Sequence, residues 1–164
     1  MLCREIIRHP AECCGIHESV AAVADRMRAV DIGFMPVLNE QGQIVGTITD
    51  RDITLRVVAF GLSPLQTTVG QVMSLGAVTC EIDDPLSLAE ARMARHHISR
   101  IVCIDRYGRP MGVISLSDIA SVERGEETGE VLRSVKALDG RPRSMAELRY
   151  ERARDWRNAG PRPG

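Results

Sequence analysis

The chain has 164 residues, 44% hydrophobic and 26% charged, with a formal charge of −1, the balance of a soluble globular protein able to bury its own core. That charge gives no global pull toward nucleic acid or an anionic membrane, and no apolar stretch reaches the roughly 18 residues of a membrane span. The opening MLCREIIRHPAECC breaks every apolar run with charge, which argues against a secretory signal and makes a cytoplasmic location the expectation.

In chain order, a short strand near Cys13 leads to a helix start at Glu18-Ser19. Val20, Val23, Ala24, Met27 and Val30 then keep helical spacing. After Gly33, the segment from Phe34 to Leu38 predicts a buried strand, and Asn39-Glu40-Gln41-Gly42 predicts a turn with glycine at positive φ. The next strand ends in GTITDRD at 46–52, where a second helix begins at Asp52 and runs to about Phe60.

The order then recurs. Val78 to Cys80 predicts a strand, and Asp84-Pro85 an acidic cap ahead of a proline in the first helical turn. Leu86, Ala89 and Met93 keep helical spacing, with His96 and His97 at the helix end in a capping role. Arg100 to Ile104 predicts a strand, Asp105-Arg106-Tyr107-Gly108 a turn, and GVISLSD at 112–118 opens a helix from Asp118 to about Val122.

Gly46 and Gly112, like Asp52 and Asp118, stand 66 positions apart. The same offset pairs Cys14 with Cys80, Arg26 with Arg92, Met27 with Met93, and Gly42 with Gly108, without a gap. The fold class is therefore α/β (α+β): two β-α-β-β-α repeats related by a pseudo-two-fold axis. Repeat 1 spans 1–62, a linker 63–67, repeat 2 68–124, and a helical, arginine-rich tail with a loose C-terminus 125–164.

Five cysteines, Cys3, Cys13, Cys14, Cys80 and Cys103, are an odd number, read as reduced thiols. Cys13 and Cys14 near His17 match no zinc spacing, so small buried residues are expected and no metal site. Met27 and Met93 are expected in the core.

Each heptad admits two readings. Thr49 and Ser115 stand where a strand becomes a helix, and Asp52 and Asp118 fall at the third helical position, close to a capping box. The same geometry suits a nucleotide, because a helix start and a hydroxyl offer donors to phosphate while a carboxylate accepts from ribose hydroxyls.

The two heptads, with FMPVLNEQGQ, IVCIDRYGRP and the intervening TTVGQVM, resemble the cystathionine-β-synthase (CBS) domain, and the pair resembles a stand-alone Bateman module over roughly residues 1–124. The resemblance implies adenosine nucleotides (AMP, ADP or ATP-like) bound in clefts between the repeats, with no cofactor required. It also implies a homodimer, and a regulatory signal to an effector protein whose identity is unknown. One cleft would join Thr49 and Asp52 to Ala77, Val78, Ile98 and Arg100, the last being where the family places a phosphate-binding arginine. The other would join Ser115 and Asp118 to Ala11, Glu12, Ile32 and Phe34. There Phe34 replaces a basic residue and Glu12 is acidic, so the Asp52 cleft is expected to bind better.

No catalytic constellation is present, so the chain is not expected to be an enzyme. Between 141 and 164 seven arginines face Glu147, Glu151 and Asp155, a spacing that favours a solvated, ion-paired helix over nucleic-acid binding. Trp156 is a candidate anchor for a protein contact. The rival readings are an unliganded dimeric scaffold, whose heptads only cap helices, and a nucleic-acid-associated regulator acting through the tail.

Overall fold

The structure is a computed structural model that describes residues 1–7 and 10–122; the expected helical tail, Trp156 included, lies outside the described residues. The first half runs β1 (Cys14–Gly15), α1 (Val20–Ala29), β2 (Phe34–Leu38), β3 (Ile44–Thr49) and α2 (Asp50–Arg56), followed by a 3-10 turn over Val58–Phe60. A short α3 (Val69–Val72) and β4 (Ser74–Leu75) come next. The second half runs β5 (Thr79–Glu81), α4 (Leu86–His96), β6 (Arg100–Ile104), β7 (Pro110–Ser115) and α5 (Leu116–Val122). The β-α-β-β-α unit is thus built twice.

Local chemistry explains these elements. Ser19 Oγ accepts from the Ala22 amide at 3.2 Å to start α1, whose residues Val20, Val23 and Met27 lie three and four apart on one buried face. Glu18 closes the preceding turn on the Gly15 amide at 2.7 Å and pairs with Arg26 at 2.9 Å. The second copy departs from expectation. Pro85 is the N-cap residue itself rather than part of the first turn, and it offers no side-chain acceptor. Asp84 instead accepts from the Glu81 amide at 2.9 Å and lies 3.6 Å from Arg92, the counterpart of Arg26.

Both hairpin turns form around an acceptor side chain. Asn39 Oδ1 takes the amides of Gln41 and Gln43, and Asp105 Oδ1 those of Tyr107 and Arg109. Gly42 and Gly108 then adopt φ of 75° and 78°, a region closed to most side chains.

The strands form two sheets, ordered β1-β2-β3-β4 and β5-β6-β7, each with a parallel first pair and antiparallel pairs after it. One core gathers Val20, Val23, Met27, Met35, Val37 and Ile48, the other Leu86, Ala89, Met93, Ile101, Ile114 and Ile119. Each opening segment crosses over. Cys3 and Ile7 are buried in the second core, while Val69 and Val72, which follow the linker, are buried in the first. The crossing bonds obey the 66-residue offset: the Cys3 amide donates to the Asp84 carbonyl and the Val69 amide to the Glu18 carbonyl, at 3.0 and 2.9 Å. Arg4 to Ile82 and Gly70 to Ile16 repeat the pattern, as do the bridges Leu2–Pro85 and Ser19–Thr68. A boundary drawn between the sequence repeats therefore cuts through both cores.

Gly46, which opens the first heptad, is fixed by this arrangement. It pairs with Leu75 of β4, and a Cβ there would run into the Ser74 carbonyl oxygen.

Candidate functional site

The two heptads end β3 and β7 at matching corners. The Thr49 amide and Oγ1 donate to Asp52 Oδ2 at 3.0 and 2.8 Å, and the Asp52 amide donates back to Thr49 Oγ1 at 3.0 Å. The second corner repeats the first. The Ser115 amide donates to Asp118 Oδ2 at 2.9 Å, its hydroxyl donates to the same oxygen, and the Asp118 amide returns to Ser115 Oγ at 3.2 Å. Both corners are closed capping boxes. All four residues are half-buried.

The corners differ in their surroundings. Asp52 Oδ1 pairs with Arg56 at 3.1 Å, and Arg56 also donates to the Val72 carbonyl at 2.6 Å and to Ser74 Oγ at 3.0 Å, tying α2 to the exchanged segment. The residue at the offset position in the second repeat is Val122, which cannot pair.

The remaining expected residues stand at or just before strand starts. Ala77 and Val78 precede β5, Ile98 precedes β6 and Arg100 opens it, and at the equivalent places Ala11 precedes β1, Ile32 precedes β2 and Phe34 opens it. Val78 and Ile98 pack against the second core and Ile32 against the first. Strand register sets Phe34 opposite Thr49 and Arg100 opposite Ser115. The register partners of Thr49 and Ser115 thus lie within their own repeats. Arg100 is exposed, and its side chain makes no hydrogen bond or ion pair among the described residues.

A groove of about 350 Å³ crosses from the first repeat to the second, lined by Gln43 and Ile44 on one side and Ala77, Thr79, Ile104 and Tyr107 on the other. Of the expected residues only Ala77 is among its lining. Tyr107, which the sequence presented as a turn residue, is exposed there with the Arg106 and Arg109 guanidinium carbons 5.5 and 5.2 Å from its ring centre.

Four of the five thiols are buried as expected, and all five are free. Burial pushes the Cys14 thiol up to about 12, with Glu18 adding to the rise. Three others meet in the second core. Cys80 Sγ lies 3.8 Å from Cys3 Sγ and 3.4 Å from Cys103 Sγ. Hydrogen bonds from Cys103 and Cys80 hold the Cys3 thiol below its ordinary range, and the bond to Cys3 pushes Cys103 up. No sequence spacing announced this cluster, because Cys3 reaches it only through the segment exchange.

Two β-α-β-β-α units that trade opening segments, each ending in a hydroxyl-x-x-aspartate corner, define a tandem repeat module with equivalent corners. The chain belongs to the CBS domain family, whose model matches residues 3–59 and 69–125. It is 31% identical over 106 residues to an uncharacterized protein of Methanopyrus kandleri, covering 65% of this chain and 54%, about half, of that one. It is 30% identical over 117 residues to hypoxic response protein 1 of Mycobacterium tuberculosis, covering 71% of this chain and 81% of the relative. A crystal structure of Hypoxic Response Protein I with two coordinated zinc ions superposes with a TM-score of 0.67 at 28% identity, over 76% of this chain and all of that one. A CBS domain protein from Pyrobaculum aerophilum complexed with AMP gives a TM-score of 0.68 at 23% identity, over 83% of this chain and 99% of that one, a likeness of fold. No helix among the described residues is long and apolar enough to cross a membrane.

Proposed function

We propose that the chain is a cytoplasmic regulatory module without catalytic activity, which binds an adenosine nucleotide between its repeats and passes the bound state to an effector protein. The observation that carries this reading is the pair of heptad corners, in which hydrogen bonds to Thr49 and Ser115 fix the half-buried carboxylates of Asp52 and Asp118. A fixed carboxylate is a strong acceptor for two ribose hydroxyls. In the better cleft Thr49 and Asp52 take the ribose, Ala77, Val78 and Ile98 border the adenine, and Arg100, whose side chain has no partner among the described residues, takes phosphate through its planar fork. In the weaker cleft Ser115 and Asp118 act with Ala11, Ile32 and Phe34, and Glu12 opposes an anionic ligand. The Pyrobaculum protein's complex with AMP supports the ligand class. A homodimer is the assembly we expect to meet the effector.

One observation favours a scaffold instead. Both carboxylate oxygens of Asp52 already have protein partners, Thr49 and Arg56. Calorimetric titration of AMP, ATP and S-adenosylmethionine into the native protein and into Arg100→Ala, Asp52→Ala and Asp118→Ala separates the two. The nucleotide reading predicts saturable binding, weakened about tenfold or more by Arg100→Ala at an unchanged melting temperature, and lost more with Asp52→Ala than with Asp118→Ala. Heat signals absent for every ligand, with the aspartate variants merely less stable, would leave the scaffold.

A further inference from the structure

The second core holds a thiol cluster that the nucleotide reading does not use. Cys3 is in the 3-10 turn over Cys3–Glu5, Cys80 is in β5, and Cys103 is its register partner in β6. Their sulfur atoms all lie within 4.8 Å of one another, and each residue is at most 1% exposed.

Packing alone does not call for sulfur at these places. The 66-residue offset carries Cys3 to Val69, Cys80 to Cys14 and Cys103 to Val37, and those three fill the same positions in the first core at no more than 2% exposure. Valine therefore satisfies the fold where the second core has two of its thiols.

We propose that Cys3, Cys80 and Cys103 form a three-thiolate site for a soft thiophilic cation, copper(I) in trigonal coordination. Three sulfurs bonded to one ion at a metal–sulfur distance of about 2.3 Å stand roughly 3.8 to 4 Å apart, so the observed 3.8 and 3.4 Å need only small adjustment. Thiolate sulfur selects copper(I) or zinc over hard cations. Zinc in closed sites takes four ligands, and among the described residues no fourth cysteine, histidine or carboxylate joins the three. Ile7, Leu86, Met93 and Ile101 belong to the same buried core, which leaves water a poor candidate for a fourth ligand. Copper(I) accepts three. As the sulfur–copper bonds form, the thiol protons pass to solvent and no electron is transferred. Because Cys3 arrives on the exchanged segment, the ion would clip that segment to the second sheet.

The test uses the full chain, reduced and free of oxygen, with copper(I) supplied against a chromophoric chelator. Its control is Cys3→Val with Cys103→Val, which gives the second core the valine-cysteine-valine pattern of the first and should keep the native circular dichroism. The expected result is one equivalent of copper(I) withdrawn from the chelator by the native chain, with a raised melting temperature, and at least a tenfold loss of that competition in the double variant. Equal competition by both chains would overturn the site. Tight uptake of one zinc in preference to copper(I) would overturn the trigonal assignment.

Discussion

Cys14 shows at the scale of one residue how burial becomes a pH dependence. Its thiol ordinarily ionises near 9.0, and burial, reinforced by Glu18, raises that value in the folded chain to about 12. The unfolded chain loses this proton first as pH rises. The contribution to stability is therefore complete below about pH 9 and is lost progressively up to about pH 12, at a limiting slope near 1.4 kcal/mol per pH unit for one proton. Cys14→Val should flatten urea midpoints across that interval by the share of this single thiol, and an identical pH profile in both proteins would show that Cys14 does not ionise on unfolding. The sequence disclosed that Cys14 and Cys80 are equivalent and buried. It could not disclose that Cys80 has two thiol neighbours while Cys14 has valines, since the offset assigns partners only once the exchange is known.

The elements were legible where a local bond decides them. Thr49 and Asp52, read as a capping box from spacing alone, bond reciprocally, and Ser115 and Asp118 do the same. Thr49→Ala should cost about 1 kcal/mol in urea denaturation, and Thr49→Ser should restore most of it. A cost near zero for the alanine variant would mean that the bond to Asp52 adds nothing to the start of α2. Legibility failed at Asp84-Pro85, where two acceptable caps adjoin. The pattern favoured proline in the first turn, yet Pro85 has an extended backbone with ψ of 141° and is the N-cap, while the free Leu86 amide of the first turn donates to the Met1 carbonyl across the exchange. Gly46 was visible as half of a repeated motif, and its cause, the close passage of β4, was not.

For the whole molecule, the repeat fixed two like units but not their interdependence. Because Cys3 and Ile7 complete one core, and Val69 and Val72 the other, neither half is closed without a segment from its neighbour. An interaction that crosses from one repeat to the other leaves no periodic trace in a window of helical or strand length. Such coupling suits a module whose ligand lies between the halves, because ordering one corner bears on a segment packed in the opposite core. Ala77 lines the inter-repeat groove, while the β6–β7 register of its own repeat sets Arg100 beside Ser115. The most direct measurement is hydrogen exchange of the full chain, read by mass spectrometry, with and without millimolar AMP. A nucleotide between the repeats should slow exchange in 46–52 together with 77–80 and 98–102, one heptad and the residues proposed to face it from the other repeat. Exchange unchanged in all three segments, or slowed only outside them, would contradict a nucleotide between the repeats.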